Sequence, residues 1–240
     1  MLLRRAKPLL GTLVQIAVWT DFQAQAATNQ AFNAIERIHG LMSRHDAASE
    51  LSRFNRLAVG EWLEISLDLC AVLTFAQELS LQSEGLFDVF TTSHNPQSGC
   101  WRDLELDRTN QRVQKHAPLV ADLGGIAKGY AVDCAIEALS LAQIGAGWVN
   151  AGGDARVLGD IAMPLRIRHP HDASCLLPQA AVEGQSEWSA VATSSLNGHG
   201  QTVWASCCMA ADALTKILAS TQDVQHPVLT SRGAKAVIYS

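Results

Sequence analysis

Charge is scarce in this 240-residue sequence: only 17% of it is Asp, Glu, Lys or Arg, and the formal net charge is −5. With no cationic excess there is no broad electrostatic reason to bind nucleic acid, so an anionic ligand has to meet a local group of cations. Repeats, low-complexity tracts and obvious linkers are also missing, and 48% of the residues are apolar. That excludes a disordered chain and leaves material for a substantial core. Six cysteines occur without one C-x-x-C pair, the only short spacing being Cys207-Cys208. A zinc site or disulfide framework does not have that pattern; buried thiols in a reducing compartment do. Beyond the N-terminus, no segment has the apolar length of a membrane span.

The opening "MLLRRAKPLLGTLVQIAVW" has a basic start and an apolar run, and Ala24-Gln25-Ala26 has the outline of a signal-peptidase site. Against export, Gln15 interrupts the run, and Val14, Ile16 and Val18 alternate as in a half-buried strand. A mature first strand and a cytoplasmic protein are the expectation, with export as the alternative.

Residues 9–19 read as that strand. Helical spacing predicts helices at 21–41, 67–82 (capped by Ser66), 125–142 and 209–220, and a short helix or turn within 46–56. Loops and a hairpin are expected across 94–118. Strands are expected at 147–151, 155–158, 163–168, 189–193, 201–206 and near 235–239. Strands and helices mixed without regular βαβ alternation point to an α+β class, taken as a single domain over 1–240.

The first specific stretch is "DLGGIAKGYAVD", residues 122–133. Its glycines, Gly124 and Gly125, allow close backbone approach, and the helix that follows presents free N–H groups, with Lys128 one turn in. It is not a Walker A loop, which needs a glycine before the lysine and Ser or Thr after it. An ordinary turn before a buried helix is the alternative. "VNAGGDARVLG" pairs Gly152 and Gly153 with Asp154, which is either a ligand-binding acid or a turn residue. In "MAADALTKILA", Ala210, Leu214, Ile217 and Leu218 share one helical face, while Asp212, Thr215 and Lys216 share the other. A solvated Asp212–Lys216 pair and a carboxylate aimed at a bound cation both suit that pattern. "SEGLFDVF" places Phe87 as a core residue when read alone. His45 and His199 are candidate acids or bases, and His169-Pro170-His171 reads as a loop.

Taken in order, these blocks resemble the ApbE family, the FAD:protein FMN transferases. The resemblance runs through Leu10-Gly11-Thr12, Met42-Ser43, Ser49-Glu50-Leu51 with Asn55, Gly85-Leu86-Phe87-Asp88 and the 122–130 block. It continues through Asn150 to Asp154, Thr193-Ser194 and Ala211-Asp212-Ala213-Leu214. What it implies is an α+β flavin-binding fold that cleaves the FAD pyrophosphate with Mg²⁺, transfers FMN to a threonine of a target flavoprotein subunit and releases AMP. On this resemblance Asp122, Gly124, Lys128, Gly152, Gly153 and Asp154 would contact FAD. Leu10, Met42, Gly85, Leu86 and Phe87 would line its flavin and adenine pocket. The Gly125 carbonyl and Asp212 would hold the metal, and Lys128, Asp212 and His199 would serve catalysis.

The chain departs from the family pattern in three places. Val89-Phe90 replaces a Pro-Thr pair, no His-Ile-x-Asp-Pro segment follows Thr193-Ser194, and Lys216 stands where a metal-binding threonine is expected, with Thr215 one place early. Two accounts of the last change stand open: the Lys216 ammonium partly replaces the metal, or Thr215 takes over as ligand. The alternative to a transferase is a catalytically impaired FAD carrier or assembly factor.

Overall fold

A computed structural model describes residues 1–20, 22–90, 99–165, 180–196 and 199–239, with only the backbone of Ala180, Leu196 and His199. In chain order the elements begin with β1 (Leu2–Leu9), β2 (Thr12–Trp19), α1 (Ala24–Met42) and α2 (Glu50–Arg56). Next come β3 (Trp62–Glu64), α3 (Leu67–Gln82), β4 (Leu104–Asp107), β5 (Arg112–Lys115) and α4 (Ala127–Leu141). They are followed by β6 (Ala146–Ala151), β7 (Asp154–Leu158), β8 (Ala162–Leu165) and β9 (Ala180–Glu183). The chain ends with β10 (Ala190–Leu196), β11 (His199–Ala205), α5 (Cys208–Thr221), α6 (Pro227–Ser231) and β12 (Lys235–Tyr239). The class is α+β. Two compact units form: residues 1–36 with 128–240, and residues 37–127.

The first unit is built on a seven-stranded sheet, ordered β1-β2-β6-β7-β10-β11-β12 and antiparallel at every pairing. The strand expected at 9–19 is in fact a hairpin. Leu10 and Gly11 take φ of 55° and 70°, which reverses the chain in two residues and pairs Leu9 with Thr12. Beneath one part of the sheet lie Ala155, Val157, Val191 and Trp204, joined by Met163, Leu165 and Val182 of the small β8-β9 ribbon. Helix α5 packs on β10 and β11 and buries Ala211, Leu214, Ile217 and Leu218.

The second unit carries α2, α3 and the three-stranded sheet β3-β5-β4. Ser66 caps α3 as its sequence suggests, accepting from Leu69 N and donating to Glu50 of α2 at 2.7 Å. The hairpin expected within 94–118 is β4-β5; residues 91–98, like 166–179 with its His-Pro-His loop, lie outside the described residues. Lys115, at the end of β5, is buried among the carbonyls of Asn55, Leu57 and Leu119 at 2.8–3.3 Å, over the ring of Phe54. Cys70, Cys100, Cys207 and Cys208 are free thiols, Cys134 is buried, and Cys175 lies outside the described residues. Among the described residues no helix is long and apolar enough to cross a membrane.

Burial pushes Lys115 down from the ordinary lysine value of 10.5 to about 8. Above that value the folded chain gives up a proton that the unfolded chain still holds, so this group's contribution favours folding increasingly as pH rises toward 10.5. Urea unfolding at pH 7 and pH 10 should therefore show the wild type gaining stability relative to Lys115→Met. A difference that is flat or shrinks with pH contradicts the assignment.

Candidate active site

The residues that carry charge into the first unit come from three separate elements. Gly152 and Gly153 take φ of 69° and 110°, making the two-residue turn that joins β6 to β7 and pairs Ala151 with Asp154. Gly152 also lies so close to Thr12 that a Cβ there would sit 2.4 Å from its hydroxyl. The glycine pair is thus a turn, and what the turn delivers is Asp154, only 2% exposed. Helix α4 offers Lys128 as its second residue. Helix α5 offers Asp212 and, one turn later, Lys216.

These four side chains meet. Lys128 Nζ pairs with Asp154 Oδ2 and stands 3.6 Å from Asp212 Oδ2. On the other side of the same carboxylate, Lys216 Nζ lies 3.6 Å from Asp212 Oδ1 and donates to Ser194 Oγ at 3.4 Å. Asp212 Oδ2 also accepts from the backbone N–H of Gly129, at 3.3 Å. Both carboxylates are buried, whereas the lysine side chains remain 35% and 36% exposed. The buried acids therefore hold two lysines whose side chains stay partly open to solvent, an arrangement that could meet an anion with more than one charge.

Of the two alternatives, the solvated Asp212–Lys216 pair is not what α5 shows, and Thr215 on the same face is as closed to solvent as Asp212. Both are 1% exposed, because α5 is covered on this side too, and Thr215 donates its hydroxyl hydrogen to the carbonyl of Asp212. Burial opposes charge on Lys128, but the facing Asp212 and Asp154 outweigh it and raise its pKa. Burial and the charge of Asp212 push Asp154 up to about 6, against the pull of Lys128.

Two residues that sequence reasoning left out set this geometry. Asp133, five places after Lys128, accepts from Cys208 N and Met209 N at 2.9 and 2.8 Å and pairs with Arg156 at 2.8 Å. It satisfies the free N–H groups that open α5, where Cys207 supplies no side-chain cap. Its position inside the quoted motif was visible, but its partner lies 75 residues away. Gly129 is the second: a Cβ there would sit 2.3 Å from the Cys208 carbonyl oxygen.

Other expected site residues lie elsewhere. Leu10 is in the β1-β2 turn. Met42, Gly85, Leu86, Phe87, Asp122, Gly124 and Gly125 belong to the second unit. There Gly85 takes φ of 87°, Phe87 and Met42 are buried, and Leu86 is 45% exposed. Beside Gly85 the buried indole N–H of Trp101 has no partner among the described residues. Asp122 Oδ1 accepts from Gly124 N at 2.8 Å, and its other oxygen pairs with Arg44. His45 is exposed beside Arg44. His199 begins β11, and its side chain lies outside the described residues.

A divalent cation such as Mg²⁺ takes six oxygen ligands, one or two of them carboxylates and the rest waters or substrate phosphates, so it would have to draw on Asp212 or Asp154. Each Asp212 oxygen already faces an ammonium, and Asp154 is paired with Lys128. Among the described residues no three His, Cys, Asp or Glu side chains gather as a metal cluster.

The sequence profile described as the ApbE family matches residues 10–94 and 91–200. The chain belongs to the ApbE family. Asp212 and Lys216 lie beyond the matched residues. A FAD:protein FMN transferase of Rhodobacter capsulatus is 29% identical over 180 residues, 63% of this chain and 34% of that protein. Another, from Klebsiella pneumoniae, is 23% identical over 203 residues, 74% of this chain and 62% of that protein. The chain thus spans between about a third and three fifths of these relatives' length. The crystal structure of the ApbE protein of Thermotoga maritima superposes with a TM-score of 0.82 at 22% identity, over 99% of this chain and 94% of that one. The flavin transferase ApbE of Vibrio cholerae gives 0.81 at 20% identity, over 99% and 93%. The ApbE fold is therefore shared along the chain.

The close approach of α4 to α5 is open to a direct test. Gly129→Ala should destabilise the protein by about 2 kcal/mol or more, because the atoms it meets are backbone. Urea unfolding measures this, and a loss below about 0.5 kcal/mol, the range of an ordinary surface substitution, contradicts the packing.

Proposed function

We propose that this chain is an FAD:protein FMN transferase, with residues 1–240 acting as one functional domain. The observation that carries the reading is the pair of partly exposed lysines, Lys128 and Lys216, whose ammonium groups are held by the buried Asp154 and Asp212. Two such cations match the diphosphate of FAD, and the transferase names of the relatives support the same substrate.

In the proposed reaction, the hydroxyl oxygen of an acceptor threonine bonds to the FMN phosphorus, and the bond from that phosphorus to the bridging oxygen breaks. AMP departs with the bridging oxygen, and the hydroxyl proton passes to a base. Lys128 offsets the charge that grows on the departing phosphate, which is where a fixed cation lowers the barrier most. Asp212 acts through the two lysines by fixing where their ammonium groups stand. His199 is the proposed proton acceptor, on the resemblance alone. Met42, Gly85, Leu86, Phe87, Asp122 and Gly124 are proposed as flavin contacts of the second unit. The unpartnered Trp101 N–H beside Gly85 supports a polar ligand atom there. Leu10 is proposed as a flavin contact of the first unit, and Gly152 and Gly153 serve through the position they give Asp154. The partner is a flavoprotein subunit bearing the target threonine. The resemblance also implies Mg²⁺, but no step is assigned to it, since both carboxylates of the set are already paired with ammonium groups.

The test is to incubate the protein with FAD and an acceptor domain bearing the target threonine of an ApbE substrate. The acceptor should gain the mass of FMN, with AMP released in equal amount. Lys128→Met should slow this by about 100-fold or more. Intact FAD and an unmodified acceptor would overturn the proposal.

A further inference from the structure

We infer that Lys216, together with Lys128, supplies the charge neutralisation that a divalent cation would otherwise give, so that this site binds the FAD diphosphate without metal. The inference rests on the transferase reading and deepens it at the same site.

Two carboxylates, Asp154 and Asp212, face two ammonium groups, and the four sum to zero before any ligand arrives. A divalent cation bound to an Asp212 oxygen would lie beside an ammonium already 3.6 Å from that oxygen, whichever oxygen it chose. Before an anionic ligand arrives, nothing among these four side chains would compensate the added charge. Thr215, the neighbouring hydroxyl, is buried and donates to the Asp212 carbonyl. Of the two accounts open from the sequence, the geometry therefore favours the ammonium over a Thr215 metal ligand.

Geometry adds to charge. Lys216 is not a loose surface lysine. Its position one turn after Asp212 puts it beside the carboxylate as an ion pair, and Ser194 of β10 receives a hydrogen bond from it at 3.4 Å. Lys128 is fixed on the opposite side by Asp154 and Asp212. The two ammonium groups thus flank one carboxylate, with about a third of each side chain open to solvent. A diphosphate presents anionic oxygens on two linked phosphorus atoms, and each cation can take one phosphate as a charge-assisted donor.

The experiment is calorimetric titration of the full chain with FAD, in EDTA and again in excess Mg²⁺. Wild-type affinity should agree between the two buffers to within about threefold, well under the tenfold that a 1.4 kcal/mol interaction represents. Lys216→Thr and Lys216→Met should each weaken FAD binding in EDTA by about tenfold or more, the loss of one charge-assisted hydrogen bond. Lys216→Arg should retain EDTA-insensitive binding, and circular dichroism checks that the variants fold. Should Lys216→Thr fail to fold, Lys216→Met carries the test, because it keeps the aliphatic stem. Wild-type binding that EDTA abolishes overturns the inference and leaves the transferase reading standing. Unchanged affinity in the folded variants also overturns it. Failure to bind FAD in either buffer overturns both.

Discussion

The carboxylate of Asp212 is the point on which the first unit's chemistry depends. It lies at 1% exposure between two ammonium groups and takes an N–H from Gly129 as well. A buried carboxylate without partners would be expensive enough to shift its own ionisation or the fold around it. Its surroundings are accordingly determined in detail: α4 must come close enough for its backbone to donate, and only a glycine at 129 allows that approach. The same closeness brings Lys128, the residue before it, alongside.

That approach in turn requires α5 to begin where it does. Asp133 of α4 receives the first two N–H groups of α5, and Arg156 of β7 balances its charge. Burial nevertheless raises the pKa of Asp133, as expected for an acid placed inside the protein as a cap. Strand β7 thus contributes twice, with Arg156 steadying the helix pair and Asp154, at its first residue, pairing with Lys128. One strand and two helices position every charged group of the site.

Local signals in the sequence were enough for part of this. Helix α3 was legible to the residue because its cap, Ser66, and its apolar spacing are both contained within it. The glycine pair at 152–153 was legible as a turn for the same reason. Strand β3 escaped because it has three residues with alternating exposure and no apolar run. The β1-β2 turn escaped because nothing marks Leu10 as a residue with positive φ. At α5 the helical wheel separated polar from apolar residues correctly, yet Asp212 and Thr215 of the polar face are buried, and a wheel does not show what covers a face. Asp133 was in plain view within the 122–133 block, but its function depends on a helix that begins 75 residues later.

The energetics bear on why such a cluster exists in a chain so poor in charge. Four charges partly withdrawn from water cost desolvation, and replacing a buried ion pair with apolar side chains of similar size is often neutral or stabilising. Stability alone therefore gives little reason to place Lys128, Asp154, Asp212 and Lys216 together. Nor do the two lysines close the cluster off, since each keeps about a third of its side chain exposed. An ion cluster serving only the fold would do best with its cations satisfied and covered. Here the acids are covered while the lysine side chains stay partly open, a difference that a ligand of opposite charge could use. Lys216, the position at which the resemblance leads one to expect a threonine, falls on that more open side, above the buried carboxylate of Asp212.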